Sequence, residues 1–445
     1  MTENVLDTNK HILVCIDEQL VNVNVKEFYA KQIAYLKENF CGTIISDIEI
    51  FNNTNYSPDT LIYLCGNIEE NYDYGHNYGK NIIIYVIREL SYNYSNNYKG
   101  YKLVNIGKVP INIYGMGVYF RDFFESDNFN DNIDDFGMVI NQEETRNKDY
   151  FNLISNEHQL QFLTESNKPG VSLRKGIYLT RVEENNDSTY FHLLRCSTNL
   201  DGPTDNFRDT DIKIINEVNQ ISEYFYGGAA ELNHVLAQVY ENTDQGGEHK
   251  NLPKKAKIKQ HSDKTKDMPQ NALMAFCTFY QGYSNGGFSD EKLKNIKRST
   301  DNPYDYCYKN QSILTKLRFK LKETVTDLNL VKKFDITLYP NSVFIMSLLT
   351  NRLYTHEIVP SIMPINKIPI RLGYVIRCSK TKAVFKDNKT FIVEEGNCIE
   401  LKEPSEDNIK ELKDAYYKEN ITDQIINYGD IYFSMNLGDY KKPFV

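Results

Sequence analysis

From about residue 150 onward the chain is a series of short apolar runs of strand length, preceded by a single helix-like stripe. The runs fall at 235–240, 272–280, 314–322, 334–338, 342–349, 369–379 and 390–393. The stripe covers 211–225, where Ile212, Ile214, Ile215, Val218, Ile221, Tyr224 and Phe225 recur at roughly helical spacing. Isolated strands leave backbone donors and one apolar face unsatisfied, so many of them in succession must pair and stack. The pattern predicts an α-supported sandwich or barrel in an α+β chain. Two glycine-bearing inserts, 244–256 and 281–315, interrupt the strands, and 406–419 reads as an exposed helix capped by Ser405. There is no internal repeat.

Residues 1–120 follow a different rule. Apolar runs at 11–16, 43–51, 61–65 and 81–87 alternate with a helical segment at 25–40, marked by Val25, Phe28, Tyr29, Ile33, Tyr35 and Leu36. That order predicts a small α/β domain. A nucleotide site would need a glycine-rich turn after the first strand, yet the first glycine is Gly42. The domain therefore reads as a structural or interaction module, with a protein partner as one use for it. Residues 121–150, rich in Asn and Asp, form a polar linker or surface excursion. Residues 151–445 form the β-rich domain.

Hydrophobic content of 41% and charged content of 25% belong to an ordinary globular chain, long enough at 445 residues for two or three cores. The 33 Tyr and 23 Phe, with no Trp, accompany an Asn, Lys and Ile bias typical of AT-rich coding, as in large DNA viruses and protists. Aromatic abundance is thus a poor guide to function. A formal charge of −9 argues against a surface wholly devoted to nucleic acid but leaves room for a local basic patch. No apolar run has the length of a membrane span, and the first residues lack the cationic start and apolar stretch of a secretory signal. The eight cysteines include no CxxC pair, and Cys15 and Cys65 sit in apolar runs. Buried reduced thiols in a reducing intracellular compartment, cytoplasm or nucleus, are expected.

Chemistry enters at His261-Ser262-Asp263. In an extended segment, residues i and i+2 point the same way, so His261 and Asp263 can reach one ion. His356, after the 342–349 run, offers a second imidazole from a distant part of the chain. Two histidines and a carboxylate can occupy one face of a metal and leave the other open, the arrangement of non-haem Fe(II) oxygenases. Taken singly, each residue also has a plain reading, a surface His–Asp pair and a structural histidine near a strand end. Within 369–379, Arg371 and Arg377 share one face with Gly373 and Val375, while Leu372, Tyr374 and Ile376 take the other. Buried guanidinium needs an anion, and a planar cation suits a dicarboxylic acid; the plain reading is two arginines at an exposed sheet rim.

Together these residues resemble the AlkB-like branch of the Fe(II)/2-oxoglutarate dioxygenases, which carries HxD, a distal His, and two arginines six residues apart shortly beyond it. The resemblance covers roughly 230–380 and leaves residues 1–120 without a counterpart. It implies a double-stranded β-helix, or jelly-roll, core with supporting helices. It also implies that His261, Asp263 and His356 are the catalytic iron ligands. Arg371 would take the distal carboxylate of 2-oxoglutarate, and Arg377 would lie near the keto-acid end or in its hydrogen-bond shell. The segment 236–240 looks like the family's Asn-x-Tyr strand, with Gln238 in place of Asn and Tyr240 in the position that contacts the co-substrate. The implied reaction uses Fe(II), 2-oxoglutarate and O₂, with ascorbate as reductant in vitro. Three departures stand out. Gly373 and Val375 replace polar residues, Thr265 stands where some members carry an acidic base-reading residue, and 281–315 lengthens the interval between Asp263 and His356.

Seven lysines (250, 254, 255, 257, 259, 264 and 266) flank the HxD motif in an otherwise acidic chain. They read either as a phosphate grip on DNA or RNA or as a solvated loop. Tyr280, Tyr283, Phe288, Tyr304, Tyr306 and Tyr308 read either as a stacking surface for a flipped base or as ordinary packing. Three functions follow in order: an AlkB-like nucleic-acid oxygenase or demethylase; an oxygenase of a protein side chain or small molecule, with 281–315 as its lid; and a non-catalytic interaction protein that keeps the fold.

Overall fold

The computed structural model describes residue 6 and residues 10–15, 27–65, 82–88, 102–124, 149–164, 171–196, 200–243, 254–284 and 286–445. Residues 125–148 of the expected 121–150 excursion and most of the 244–256 insert lie outside these residues.

Five parallel strands form the N-terminal sheet, in the order Thr43–Ile45, His11–Cys15, Leu61–Cys65, Ile83–Arg88 and Lys102–Asn105. Its strands are apolar on consecutive residues because both faces are covered. Leu13, Leu61 and Tyr63 pack with Ile33 and Leu36 from the helix Glu27–Asn39 and with Phe40 just beyond it. Ile12, Val14, Ile62 and Leu64 pack on the other face with Phe51. The run expected as one strand over 43–51 breaks after Ile45, because the Asp47 carboxylate accepts from the Glu49 and Ile50 amides and starts the helix Ile48–Asn53.

The large sheet runs Asp205–Asn206, Val171–Thr180, His234–Tyr240, Arg371–Arg377, Leu273–Tyr280, Ser342–Ser347, Val118–Phe120 and Ile111–Asn112, with Gln161–Thr164 paired to Val171–Thr180. The domain boundary expected at 120 is therefore misplaced. Residues 111–120 supply two strands of the large sheet, since Phe120, Tyr119 and Val118 pair with Val343, Phe344 and Ile345. The N-terminal sheet is docked as well, with the His11 ring stacked on Phe225 at 3.9 Å.

A smaller antiparallel sheet, Ile258–His261, Tyr354–Val359, Lys316–Leu321 and Lys333–Thr337, covers one face of the large sheet. The layers meet through Phe319 against Phe344, with ring centroids 5.6 Å apart, within one continuous core. On the opposite face, the helices Tyr150–Glu157 and Asp209–Phe225 add Ile154, Ile214, Ile215 and Val218 to that core. The architecture is a mixed α+β arrangement whose antiparallel sheets are layered as in a β-sandwich. The jelly-roll winding implied by the motifs is a finer statement than this layering makes. A third antiparallel sheet, Glu183–Asn185, Ser188–Leu193, Thr381–Lys386, Lys389–Glu394 and Asn397–Glu400, has a small core of its own. The helix Glu406–Ile421 begins at the expected Ser405 cap, but it is not merely exposed: Leu412, Tyr416 and Glu419 are buried.

No helix among the described residues is long and apolar enough to cross a membrane. Five of the eight cysteines are buried.

Candidate metal centre

His261 is the last residue of its strand and lies directly opposite His356 in the antiparallel pair with Tyr354–Val359. Cross-strand neighbours project to the same side of a sheet, and here the two imidazole centroids are 4.4 Å apart. Asp263 follows just beyond the strand end, with Oδ1 3.5 Å from His261 Nε2 and 3.9 Å from His356 Nε2. One ligand atom from each of the three lies within 4.8 Å of the others. Two atoms bound to one ion at about 2.1 Å each can be separated by up to about 4.2 Å, so both measured separations fit a shared ion. His261 Nδ1 lies 2.9 Å from the Lys259 carbonyl, which can only accept. Nδ1 therefore carries the proton, and the Nε2 lone pair faces the centre, a common way to fix a metal-binding tautomer.

The charge state also suits a cation. Burial works to raise the Asp263 pKa, but the Arg377 guanidinium and the two imidazoles overcome it and hold the carboxyl well below its usual range. Burial, followed by the neighbouring His261, pushes His356 down to about 3, so it is neutral at physiological pH. An ionised carboxylate and a neutral imidazole are the forms a metal requires. Arg377 meets Asp263 Oδ2 through both Nε and Nη2 at 2.8 Å. The arginine expected at the keto-acid end is thus tied to the far oxygen of the carboxylate ligand, and it leaves Oδ1 for the centre. Its Nη1 is buried without a partner among the described residues.

Arg371 lies on the same strand face. Its guanidinium carbon sits 3.9 Å from the Tyr240 ring centroid, and Tyr240 and Tyr280 are its two cross-strand neighbours. Arg371 is buried, and its Nε and Nη2 have no partner among the described residues. One residue pair along, Gly373 lies between Gln238 and Thr278. A Cβ at Gly373 would stand 2.7 Å from Arg371 Nη1, so the absent side chain makes the space into which the guanidinium folds. Thr278 Oγ1 is likewise buried and unpartnered. Gln238 Oε1 accepts from the Tyr240 hydroxyl at 3.0 Å. Buried donors in native proteins are nearly always satisfied, and a lone buried guanidinium is costly. Aligned orphan groups of this kind fit an anionic ligand with hydrogen-bonding oxygens. Thr278 was missed in the sequence because a threonine within an apolar strand carries no signal until its row across the sheet is known.

The basic segment is less available than expected. Lys250 lies outside the described residues. Lys264 is buried and the side chain of Lys266 is turned inward, with Lys264 Nζ bound to the Ser262 carbonyl and Asn420 and Lys266 Nζ to Asp267 and the Arg195 carbonyl. Lys255 donates to the Ser361 carbonyl. Lys254, Lys257 and Lys259 remain exposed or nearly so. The aromatics of the insert pack largely on one another: Tyr280, Tyr283, Phe288, Tyr306 and Tyr308 share a small core with Met363 and Ile368, and the Tyr306 hydroxyl donates to the Gly286 carbonyl. Tyr304 instead covers Arg121 at 4.4 Å.

A second cluster, Glu157, His158 and Asp211, has ligand-like spacing. Both nitrogens of His158 are occupied, Nδ1 by Asp205 and Nε2 by Asp211 at 2.8 Å each. Although burial disfavours its charge, the two carboxylates raise its pKa to about 9. A doubly bonded imidazolium has no lone pair for a metal, and Asp211 also accepts from the Tyr374 hydroxyl behind the Arg371–Arg377 strand.

No protein-family model matches the chain, and no curated protein is significantly similar to it. Among solved structures, it is similar to the rice protein OsALKBH1, with 13% identity over 51% of this chain and 90% of that chain and a TM-score of 0.26. A likeness of that size does not establish a shared fold.

Proposed function

We propose that the chain is an Fe(II)- and 2-oxoglutarate-dependent oxygenase, with His261, Asp263 and His356 as iron ligands and Arg371 as the clamp for the distal carboxylate of 2-oxoglutarate. The observation that carries this reading is the convergence of two imidazoles and one ionised carboxylate, together with a buried guanidinium on the same face of the Arg377 strand whose Nε and Nη2 have no partner among the described residues. Such an iron centre supplies O₂ activation coupled to oxidation of the keto acid. The chain's own residues hold and orient. Asp263 presents one oxygen to the centre while Arg377 takes the other, Tyr240 stacks under the clamp, and Thr278 offers a hydroxyl beside it.

The leading substrate reading is hydroxylation or oxidative demethylation of a nucleic-acid base. It rests on the motif resemblance and on the exposed Lys254, Lys257 and Lys259 in the segment that leads to His261. The inward engagement of the Lys264 and Lys266 ammonium groups favours a second reading, an oxygenase of a protein side chain or small molecule, because it removes part of the phosphate grip. The purified full chain with Fe(II), ascorbate and 2-oxoglutarate should release succinate. His261→Ala or Asp263→Ala should abolish that release, and Arg371→Ala should chiefly raise the 2-oxoglutarate requirement. Succinate release unaffected by all three substitutions overturns the proposal.

A further inference from the structure

Two consecutive amides next to His261 are each held by an asparagine side chain from a different helix. Ser262 N donates to Asn420 Oδ1 at 2.8 Å, and Asp263 N donates to Asn351 Oδ1 at 2.8 Å. Asn351 Nδ2 returns a bond to the Asp263 carbonyl at 2.9 Å, so this one side chain brackets the residue. Asn351 belongs to the helix Leu348–Leu353, which leads directly into the strand carrying His356. Asn420 lies in the last turn of the C-terminal helix Glu406–Ile421.

A buried ammonium joins the two asparagine supports. Lys322 Nζ donates to the Asn351 carbonyl at 3.2 Å, the Glu419 carbonyl at 2.7 Å and the Thr422 carbonyl at 3.0 Å. Lys264 Nζ adds bonds to Asn420 Oδ1 at 2.7 Å and to the Ser262 carbonyl at 2.9 Å. Thr265 N and Oγ1 both donate to Glu419 Oε1.

The need for this scaffold follows from topology. The strand ends at His261, so Asp263 is outside the ladder that fixes the two histidines. Buried amides still require acceptors, and here side chains supply them at the two positions that set where the Asp263 carboxylate points. A carboxylate must direct one oxygen at the histidines and the other at Arg377, and a shift of the backbone at 262–263 would spoil both contacts.

We propose that Asn351 and Asn420 are positioning residues of the metal centre, and that the C-terminal helix is therefore part of that centre although it contributes no ligand. The inference rests on reading His261, Asp263 and His356 as metal ligands.

Its test is cobalt(II) binding to the full chain, followed by visible absorption, for the wild type, Asn351→Ala, Asn420→Ala and Asn420→Asp, with thermal unfolding of each metal-free protein alongside. Outer-shell groups of this kind are worth about 10- to 100-fold in metal affinity, and the alanine variants should lose that much. Asn420→Asp keeps an acceptor for Ser262 N–H and Lys264, and it should bind cobalt as the wild type does. Alanine variants that melt earlier but bind cobalt with wild-type affinity overturn the positioning role and leave the metal reading intact. A wild type that binds no cobalt overturns the metal reading and the positioning role with it. If Asn351→Ala does not fold, the Asn420 pair decides: loss with alanine and recovery with aspartate supports the role, and equal binding by both overturns it.

Discussion

Gly373→Ala separates the anion clamp from the metal centre by a single methyl group. The added Cβ would stand 2.7 Å from Arg371 Nη1 and 3.3 Å from Tyr240 Cε2. The first contact is with the far end of a long side chain, which can swing away, so the cost to folding should stay below about 1 kcal/mol, at the low end for overpacking. The second contact matters more for function, because the Tyr240 ring already lies 3.9 Å under the guanidinium and blocks retreat in that direction. The guanidinium must therefore leave the position in which Nε and Nη2 are left for an anion. Losing one charge-assisted hydrogen bond costs about 1.5–3 kcal/mol, or roughly 10- to 150-fold in affinity. Anaerobic calorimetry of 2-oxoglutarate binding to the manganese-loaded protein would measure that loss, with manganese affinity and melting temperature as controls. A variant that binds 2-oxoglutarate as tightly as the wild type refutes the clamp assignment. A variant that loses manganese and 2-oxoglutarate together refutes the claim that the two sites are separable.

Arg377→Met leaves the Asp263 carboxylate buried without its cation, and breaking such a pair typically costs about 3–5 kcal/mol; denaturant unfolding of the metal-free protein should show that loss, and saturating manganese should restore part of it. His158 gives stability a basic limit. Its folded pKa of about 9 lies above the unfolded value of about 6.5, so its contribution is complete below the latter and is lost as pH rises toward 9. Unfolding curves from pH 6 to about 10 should show that decline, and it should be much smaller in His158→Gln. If nucleic acid is the substrate, the three available lysines limit its salt dependence: each phosphate contact by a single strand contributes a slope of about −0.7, so log affinity against log salt should fall with a slope near −2. No measurable oligonucleotide binding at low salt would favour the protein or small-molecule reading.

Part of the candidate site was legible because its geometry follows local rules. Closeness in sequence kept His261 and Asp263 within reach of each other although the strand ends at His261, and strand alternation put Arg371, Gly373, Val375 and Arg377 on one face. What sequence could not supply was the order of strands. Only the pairing of Gly373 with Thr278 reveals the orphan hydroxyl, and only the meeting of the C-terminal helix with the 262–265 segment explains why Lys264 is buried. A lysine run reads as solvated or phosphate-binding when the elements folded over it are unknown, and here two of its members serve as internal hydrogen-bond donors. The misplaced boundary at 120 has a similar cause. The strands Ile111–Asn112 and Val118–Phe120 are too short to stand out, and their membership of the large sheet depends on pairing with residues more than two hundred positions away. The 43–51 run misled for a local reason, since Asp47 is a strong helix cap within an apolar stretch.

The most direct test is a structure of the full chain grown without oxygen in the presence of manganese(II) and 2-oxoglutarate, with anomalous data at the manganese edge. The account predicts one strong peak bonded to His261, Asp263 and His356, with the far carboxylate of 2-oxoglutarate on Arg371. A protein that remains empty there, or a peak at Glu157, His158 and Asp211 instead, would contradict it.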